Sequence, residues 1–128
     1  MLHHVTVGTN DVERAARFYD PLMDLIGLRQ LKLNDGGVHY GTGEILFSAV
    51  KTSNGEPATA GNGTHVAFQA RDRAMVKKFY ELALRNGGTG EGAPGLRPNY
   101  DVNYFGAFVL DPDGNKVEAV TLSGSSAE

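Results

Sequence analysis

The chain has 128 residues, of which 41% are hydrophobic and 21% charged, the ordinary usage of a globular protein of one compact domain. The net charge of −3 and the lack of a basic patch argue against a nucleic-acid partner. Cysteine is absent, so disulfides and thiolate ligands are excluded and any metal needs nitrogen and oxygen donors. We expect a cytoplasmic protein, because no signal peptide or membrane-length apolar run is visible.

The first half of the chain is expected to fold as β-α-β-β-β. Residues 4–7 form an apolar strand, and Asp11 can cap a helix over residues 12–26 whose apolar residues recur at helical spacing. Gly27 ends this helix. Strands follow at residues 28–33, 38–40 and 44–50, separated by glycine-rich turns.

The second half repeats this order. After a strand at residues 65–68, Asp72 can cap a helix over residues 73–86, and short strands follow at 89–91, 104–110 and 116–121. The glycine-rich stretch at residues 92–101 is predicted to be a loop that could act as a lid. We therefore expect one domain with module one at residues 2–50, a linker at 51–62, module two at 63–121 and a flexible tail at 122–128.

An internal repeat supports this division. A shift of 61 residues places His4 on His65 and Asp11 on Asp72, and it keeps one register over about 25 residues. The same shift places Phe18-Tyr19 on Phe79-Tyr80, and these aromatic residues are expected to pack between helix and sheet.

The motifs His-Val-Thr-Val, Asp-Val-Glu-Arg-Ala-Ala-Arg-Phe-Tyr and Asp-Pro-Asp-Gly-Asn-Lys-Val-Glu resemble the vicinal oxygen chelate superfamily. That superfamily includes glyoxalase I, bleomycin- and fosfomycin-resistance proteins and extradiol dioxygenases. The resemblance covers residues 2–121 and implies an α+β fold of two tandem βαβββ modules that form a cupped mixed sheet. It also implies a small-molecule substrate and a homodimer, in some members with modules paired across subunits.

The resemblance further implies metal ligands on the first and last strand of each module. His4 matches the first strand of module one, while His65 and Glu118 match the first and last strands of module two. The fourth position falls on Phe47 or Ser48, neither of which is a usual ligand, and His3 is an alternative to His4. Two histidines and one carboxylate could hold Fe, Mn, Zn or Ni and leave positions open for substrate.

Glyoxalase I typically uses four protein ligands, so the three ligands found here disfavour that activity. The first hypothesis is a metal-dependent enzyme that chelates a small oxygenated substrate, with lyase, isomerase or dioxygenase chemistry. The alternative is a non-catalytic protein that sequesters a ligand, of the bleomycin-resistance type. A structural or regulatory module is a third possibility.

Other polar and aromatic residues are candidates for the pocket. His39 could act as an acid or base, although a surface strand histidine is equally compatible with its place in the sequence. Arg97 could clamp a carboxylate or phosphate or be an exposed loop residue, and Tyr100 and Tyr104 could close over a ligand or simply pack. Phe47 is expected to provide an apolar wall.

Overall fold

A computed structural model describes residues 1–124 of the chain. The last four residues of the predicted tail lie outside this part. Within it, the chain forms two βαβββ modules, with these elements: β1 (Val5–Gly8), α1 (Val12–Ile26), β2 (Arg29–Asn34), β3 (Gly37–Gly41), β4 (Ile45–Val50), β5 (His65–Gln69), α2 (Arg73–Arg85), β6 (Thr89–Leu96), β7 (Phe105–Leu110) and β8 (Lys116–Thr121).

Both helices begin at the predicted aspartate caps. The carboxylate of Asp11 accepts a hydrogen bond from the backbone N–H of Arg14, and Asp72 does the same for Met75. Gly27 ends α1 with a φ of 99°, a left-handed conformation that glycine adopts without steric cost. The predicted helices are confirmed to within one residue at their ends.

Each module contributes a four-stranded mixed sheet within the described residues, in the order β1-β4-β3-β2 for module one and β5-β8-β7-β6 for module two. In both, the first and last strands of the module run parallel at one side and the remaining pairs are antiparallel. The predicted α+β fold class is thereby confirmed. None of the helices in this part of the chain is long and apolar enough to cross a membrane.

The prediction of a loop at residues 92–101 is wrong for residues 92–96. Strand β6 continues to Leu96, and Gly92 and Gly95 pair with Phe108 and Gly106 of β7 across two register shifts. Glycine and proline are typical of loops, but the neighbouring strand supplies the ladder hydrogen bonds that hold this segment extended. The loop proper therefore spans residues 97–104.

The core lies between the helices and one face of each sheet. Phe18, Tyr19 and Phe79 are fully buried there, as predicted, and Tyr80 is half-buried against them. The opposite face of each sheet is not covered by a helix of the same module, since both helices pack on the core side. We call this the open face of the module.

The turn between β7 and β8 fastens module two to module one. Asp113 accepts hydrogen bonds from Thr9 Oγ1 (2.5 Å), the Asn10 backbone N–H (2.9 Å) and Arg14 Nη2 (2.6 Å). Asp111 accepts one from the Tyr19 hydroxyl at 2.6 Å. These hydrogen bonds connect the β7–β8 turn to the start and the middle of α1. The two modules therefore contact each other on the sides that carry the helices, and the open faces take no part in this contact.

Candidate functional site

Glu118 is a completely buried carboxylate on the open face of module two. Its neighbours on β8, Val117 and Ala119, belong to the core, so strand alternation turns Glu118 to the other side. Across the sheet its Cα partners are Ala67 of β5 and Phe108 of β7. A buried charged group is expensive unless it is paired, and its partners therefore define the site.

Two side chains engage the Glu118 carboxylate, one at each oxygen. His65 Nε2 lies 3.1 Å from Oε1, and the Tyr104 hydroxyl donates to Oε2 at 2.5 Å. Burial, then the hydrogen bond to Glu118 and the charge of that carboxylate, raise the pKa of Tyr104 to about 12. Tyr104 therefore keeps its proton at neutral pH and acts as a hydrogen-bond donor.

His4 lies away from this pair. It is exposed just before β1, its Nδ1 is 2.9 Å from Nδ1 of His3, and His3 Nε2 lies 3.4 Å from Glu44 Oε1. Among residues 1–124, no three His, Cys, Asp or Glu side chains come close enough to hold a metal ion. One chain thus brings together His65 and Glu118, whose imidazole nitrogen and carboxylate oxygens suit a divalent metal, but not His4.

Strand pairing identifies the position on module one that corresponds to Glu118. Val5 pairs with Phe47 on β4 just as Val66 pairs with Val117 on β8, so Ser48 is the equivalent of Glu118. Ser48 Oγ lies 2.7 Å from Nδ1 of His39. Burial, followed by the charge of Lys32, lowers the pKa of His39, which favours a neutral imidazole at pH 7.

Phe47 faces the core rather than the open face. Its ring lies 4.9 Å from that of Tyr19 and 5.1 Å from that of Phe68, measured between centroids. Only 1% of the residue is exposed, which leaves no surface for a ligand within a single chain.

An open cleft of about 480 Å³ on the open face of module two is lined by Tyr104 and Ala67, which are respectively the hydrogen-bond partner and a strand partner of Glu118. Tyr100 and Tyr104 form one wall with ring centroids 5.0 Å apart, and strands β5 and β8 form the floor. This volume suits a small molecule. A larger cleft of about 660 Å³ near the start of α1 contains none of the predicted site residues.

Arg97 lies on the other side of the Tyr104–Glu118 pair. Its guanidinium carbon is 5.5 Å from the centre of the Phe108 ring, and the Lys116 ammonium is 4.9 Å from the same centre. The sequence predictions included Arg97 but missed Phe108 and Lys116. Alternation along β8 would have placed Lys116 on the same face as Glu118, whereas Phe108 required the register of β7.

A protein-family comparison matches residues 1–119 to the Glyoxalase/Bleomycin resistance protein/Dioxygenase superfamily. No curated protein sequence gives a significant match. A crystal structure of a glyoxalase/bleomycin resistance protein from Albidiferax ferrireducens is 35% identical, with a TM-score of 0.84, and the alignment covers 94% of this chain and 97% of that one.

Two functionally named structures share the fold at lower identity. Lactoylglutathione lyase from Agrobacterium tumefaciens is 23% identical with a TM-score of 0.62, covering 94% of this chain and 92% of its own. A fosfomycin resistance protein from Mesorhizobium loti is 21% identical with a TM-score of 0.69, covering 94% and 91%. At these identities the likeness concerns the fold and not the activity.

Proposed function

The chain belongs to the Glyoxalase/Bleomycin resistance protein/Dioxygenase superfamily, and from that premise we propose that it is a metal-dependent enzyme acting on a small oxygenated substrate. The reaction would be of the lyase, isomerase or dioxygenase type. The observation that carries the proposal is the fully buried Glu118, whose two oxygens meet His65 and Tyr104 beside an open cleft. A buried carboxylate with titratable partners at a cleft is characteristic of functional sites.

His65 and Glu118 would hold the metal together with His4 from a second copy of the chain. A second copy is needed because His4 lies on module one, away from the other two residues. When bound, a divalent ion such as Fe, Mn, Zn or Ni supplies Lewis-acid polarisation of the substrate oxygens.

The chain's own side chains provide the remaining functions of the proposed site. Tyr104 orients the Glu118 carboxylate through its hydroxyl, and its ring together with that of Tyr100 offers an apolar wall to the substrate. His39, held at Nδ1 by Ser48, would exchange a proton with the substrate through Nε2 when module one faces the site.

Metal titration of chelator-treated protein tests the proposal. We expect Fe²⁺, Mn²⁺, Zn²⁺ or Ni²⁺ to bind at about one ion per chain, measured by calorimetry and by metal analysis after desalting. Binding should fall by about tenfold or more in H4A, H65A and E118Q. The variant H3A is the matched control, since His3 adjoins His4 without being a proposed ligand.

Two outcomes would contradict this assignment. Protein that stays metal-free with all four ions is not a metalloenzyme of this kind. Metal binding that is lost in H3A but retained in H4A would replace His4 by His3.

The second candidate function is sequestration of a small molecule without catalysis. It is favoured by Ser48, which occupies the position where a second carboxylate ligand would be expected. This function predicts ligand affinity that survives both H4A and H65A, whereas the enzyme hypothesis predicts that substrate affinity falls with the metal.

A further inference from the structure

The open face of module two carries two cations, Arg97 and Lys116, that form no ion pair with the described carboxylates. Within residues 1–124, none of the ion pairs includes Arg97 or Lys116, although carboxylates outnumber cations in the whole chain by 15 to 12. Both side chains are half-buried and lie within 5.5 Å of the centre of the Phe108 ring. The ring stabilises the two charges through its electron-rich face without neutralising them.

The Arg97 guanidinium packs against β6 at two glycines, Gly92 and Gly95. A Cβ atom at Gly92 would lie 3.2 Å from Arg97 Nη2, and a Cβ at Gly95 would lie 3.2 Å from Nη1. Nη2 also donates to the carbonyl oxygen of Ala93 at 2.9 Å. The two glycines therefore provide the room that the guanidinium occupies against β6.

This arrangement leaves donors free for a ligand. A guanidinium has five N–H groups, of which Arg97 uses one in a good hydrogen bond to Ala93 and one in a long 3.5 Å contact to Leu96. The other N–H groups and the Lys116 ammonium are available on a half-buried surface. An oxyanion is the natural partner for a planar guanidinium held in one orientation.

The cationic pair adjoins the proposed reactive centre. Phe108 is the Cα partner of Glu118, and the ring of His65 lies 5.9 Å from the Phe108 ring, between centroids. The backbone N–H of Arg97 donates to the carbonyl oxygen of Tyr104 at 2.7 Å. A small molecule bound at Phe108 therefore lies beside the His65–Glu118 pair and the segment that carries Tyr104.

We propose that Arg97 and Lys116, arranged around Phe108, bind an oxyanion group, carboxylate or phosphate, of the small-molecule substrate. The inference rests on the proposed function for the identity of the reactive centre, but anion binding itself requires no metal. The substrate class is therefore a small organic anion whose charged group is anchored beside Glu118.

Chemical-shift titration of the chelator-treated protein, at low ionic strength, tests the inference. The probes are pyruvate, acetate and inorganic phosphate, and acetamide serves as the uncharged counterpart of acetate. We expect saturable shifts of the backbone amides of Gly92, Gly95 and Phe108 with the anions and none with acetamide. The tighter of pyruvate and phosphate assigns the anchored group as carboxylate or phosphate.

Charge-removing variants locate the site. We expect R97Q and K116Q each to weaken anion binding by about tenfold, which is the usual effect of a hydrogen bond to a charged group. K116Q is informative even if R97Q disturbs β6, because Lys116 lies on β8 and its ammonium group lies over the Phe108 ring. R29Q is the matched control, since Arg29 is an exposed cation on β2 of module one.

The inference is overturned if acetamide binds as acetate does, or if both variants retain the wild-type affinity. Because metal is absent from this titration, its failure is distinguishable from failure of the proposed function. Anion binding without any metal binding would uphold the inference and reject the metalloenzyme.

Discussion

Ser48 and His39 occupy on module one the region that Glu118 and its partners occupy on module two. Their side chains lie 2.7 Å apart, and Ser48 is buried while His39 is half-buried. His39 has Lys32 as its Cα partner on β2, which places a positive charge on the neighbouring strand. Both burial and this charge disfavour the imidazolium form.

We predict that His39 titrates below the ordinary histidine pKa of about 6.5, and that K32Q raises the pKa of His39. Removing the lysine removes one of the two effects that lower it. The measurement is an NMR titration of the His39 Cε1 proton, and K78Q on α2 serves as the control. An unchanged His39 pKa in K32Q would contradict the prediction.

The lowered pKa of His39 also has a consequence for stability. Between the folded-state pKa of His39 and about 6.5, the unfolded chain binds more protons, so the free energy of unfolding falls as the pH drops through this window. We expect H39Q to have a shallower loss of stability there than the wild type. Urea denaturation at several pH values measures the difference.

At the scale of elements, the β7–β8 turn is the main polar connection between the modules. Asp113 receives three hydrogen bonds from residues 9–14, and its side chain is only 2% exposed. Removing this acceptor leaves the buried Thr9 hydroxyl and the more exposed Asn10 and Arg14 donors without their common partner. The turn therefore links the start of α1 to the sheet that carries Glu118.

We predict that D113A lowers the free energy of unfolding by about 2–4 kcal/mol, because a buried hydrogen-bonded charge is lost and its donors remain. Urea denaturation measures the change. D35A in the exposed β2–β3 turn is the matched control and should have little effect. Equal effects of the two variants would show that the Asp113 contacts contribute little.

Gly88 follows α2 and lies where α1, α2 and β7 approach one another closely. A Cβ there would lie 2.7 Å from Phe18 Cε1, 2.8 Å from the Ala83 carbonyl oxygen and 3.0 Å from that of Leu110. Two of these atoms belong to the backbone and cannot move independently.

We predict that G88A destabilises the protein by about 1–3 kcal/mol through overpacking. G43A is the control, since a Cβ at Gly43 meets nothing within 4 Å. Thermal denaturation compares the two variants. A G88A protein as stable as G43A would mean that α2 and β7 separate at low cost.

At the scale of the whole molecule, the residues of the proposed site are divided between two open faces. Module one carries His4 and the His39–Ser48 pair, while module two carries His65, Glu118 and the cleft. In the lining of that cleft, Tyr100 and Leu122 are 61% and 59% exposed. Exposed apolar side chains grouped at a pocket are typical of a surface that meets a ligand or another chain.

We predict that a heterodimer of H4A and E118Q chains binds metal more tightly than either homodimer. In the proposed arrangement the E118Q chain supplies His4 to the intact module two of the H4A chain, so about half of the wild-type sites are restored in a symmetric dimer. Two affinity tags allow the heterodimer to be purified for metal analysis. A metal-free heterodimer would exclude this pairing of modules.

Local patterns in the sequence were sufficient to predict the helices and most of the strands, and to show that the βαβββ order occurs twice. Each of these signals involves only a few neighbouring residues. They are the helix caps Asp11 and Asp72, the glycine at the end of α1 and the periodic spacing of apolar residues. The 61-residue repeat then predicted which residues are equivalent between modules. The loop prediction failed at residues 92–96 because local patterns were all it used. The extended conformation of these residues depends on pairing with β7 and not on their own composition.

The sequence by itself determined the two βαβββ modules, because they follow from local periodicity and from the repeat. The association of His65 with Glu118 was implied by the resemblance to a known family. Only the tertiary structure decided that Ser48, and not Phe47, corresponds to Glu118, since that depends on the register between β1 and β4. It also separated His4 from Glu118 within one chain and gathered Arg97 and Lys116 around Phe108. These outcomes depend on contacts between residues far apart in the chain, which no local pattern encodes.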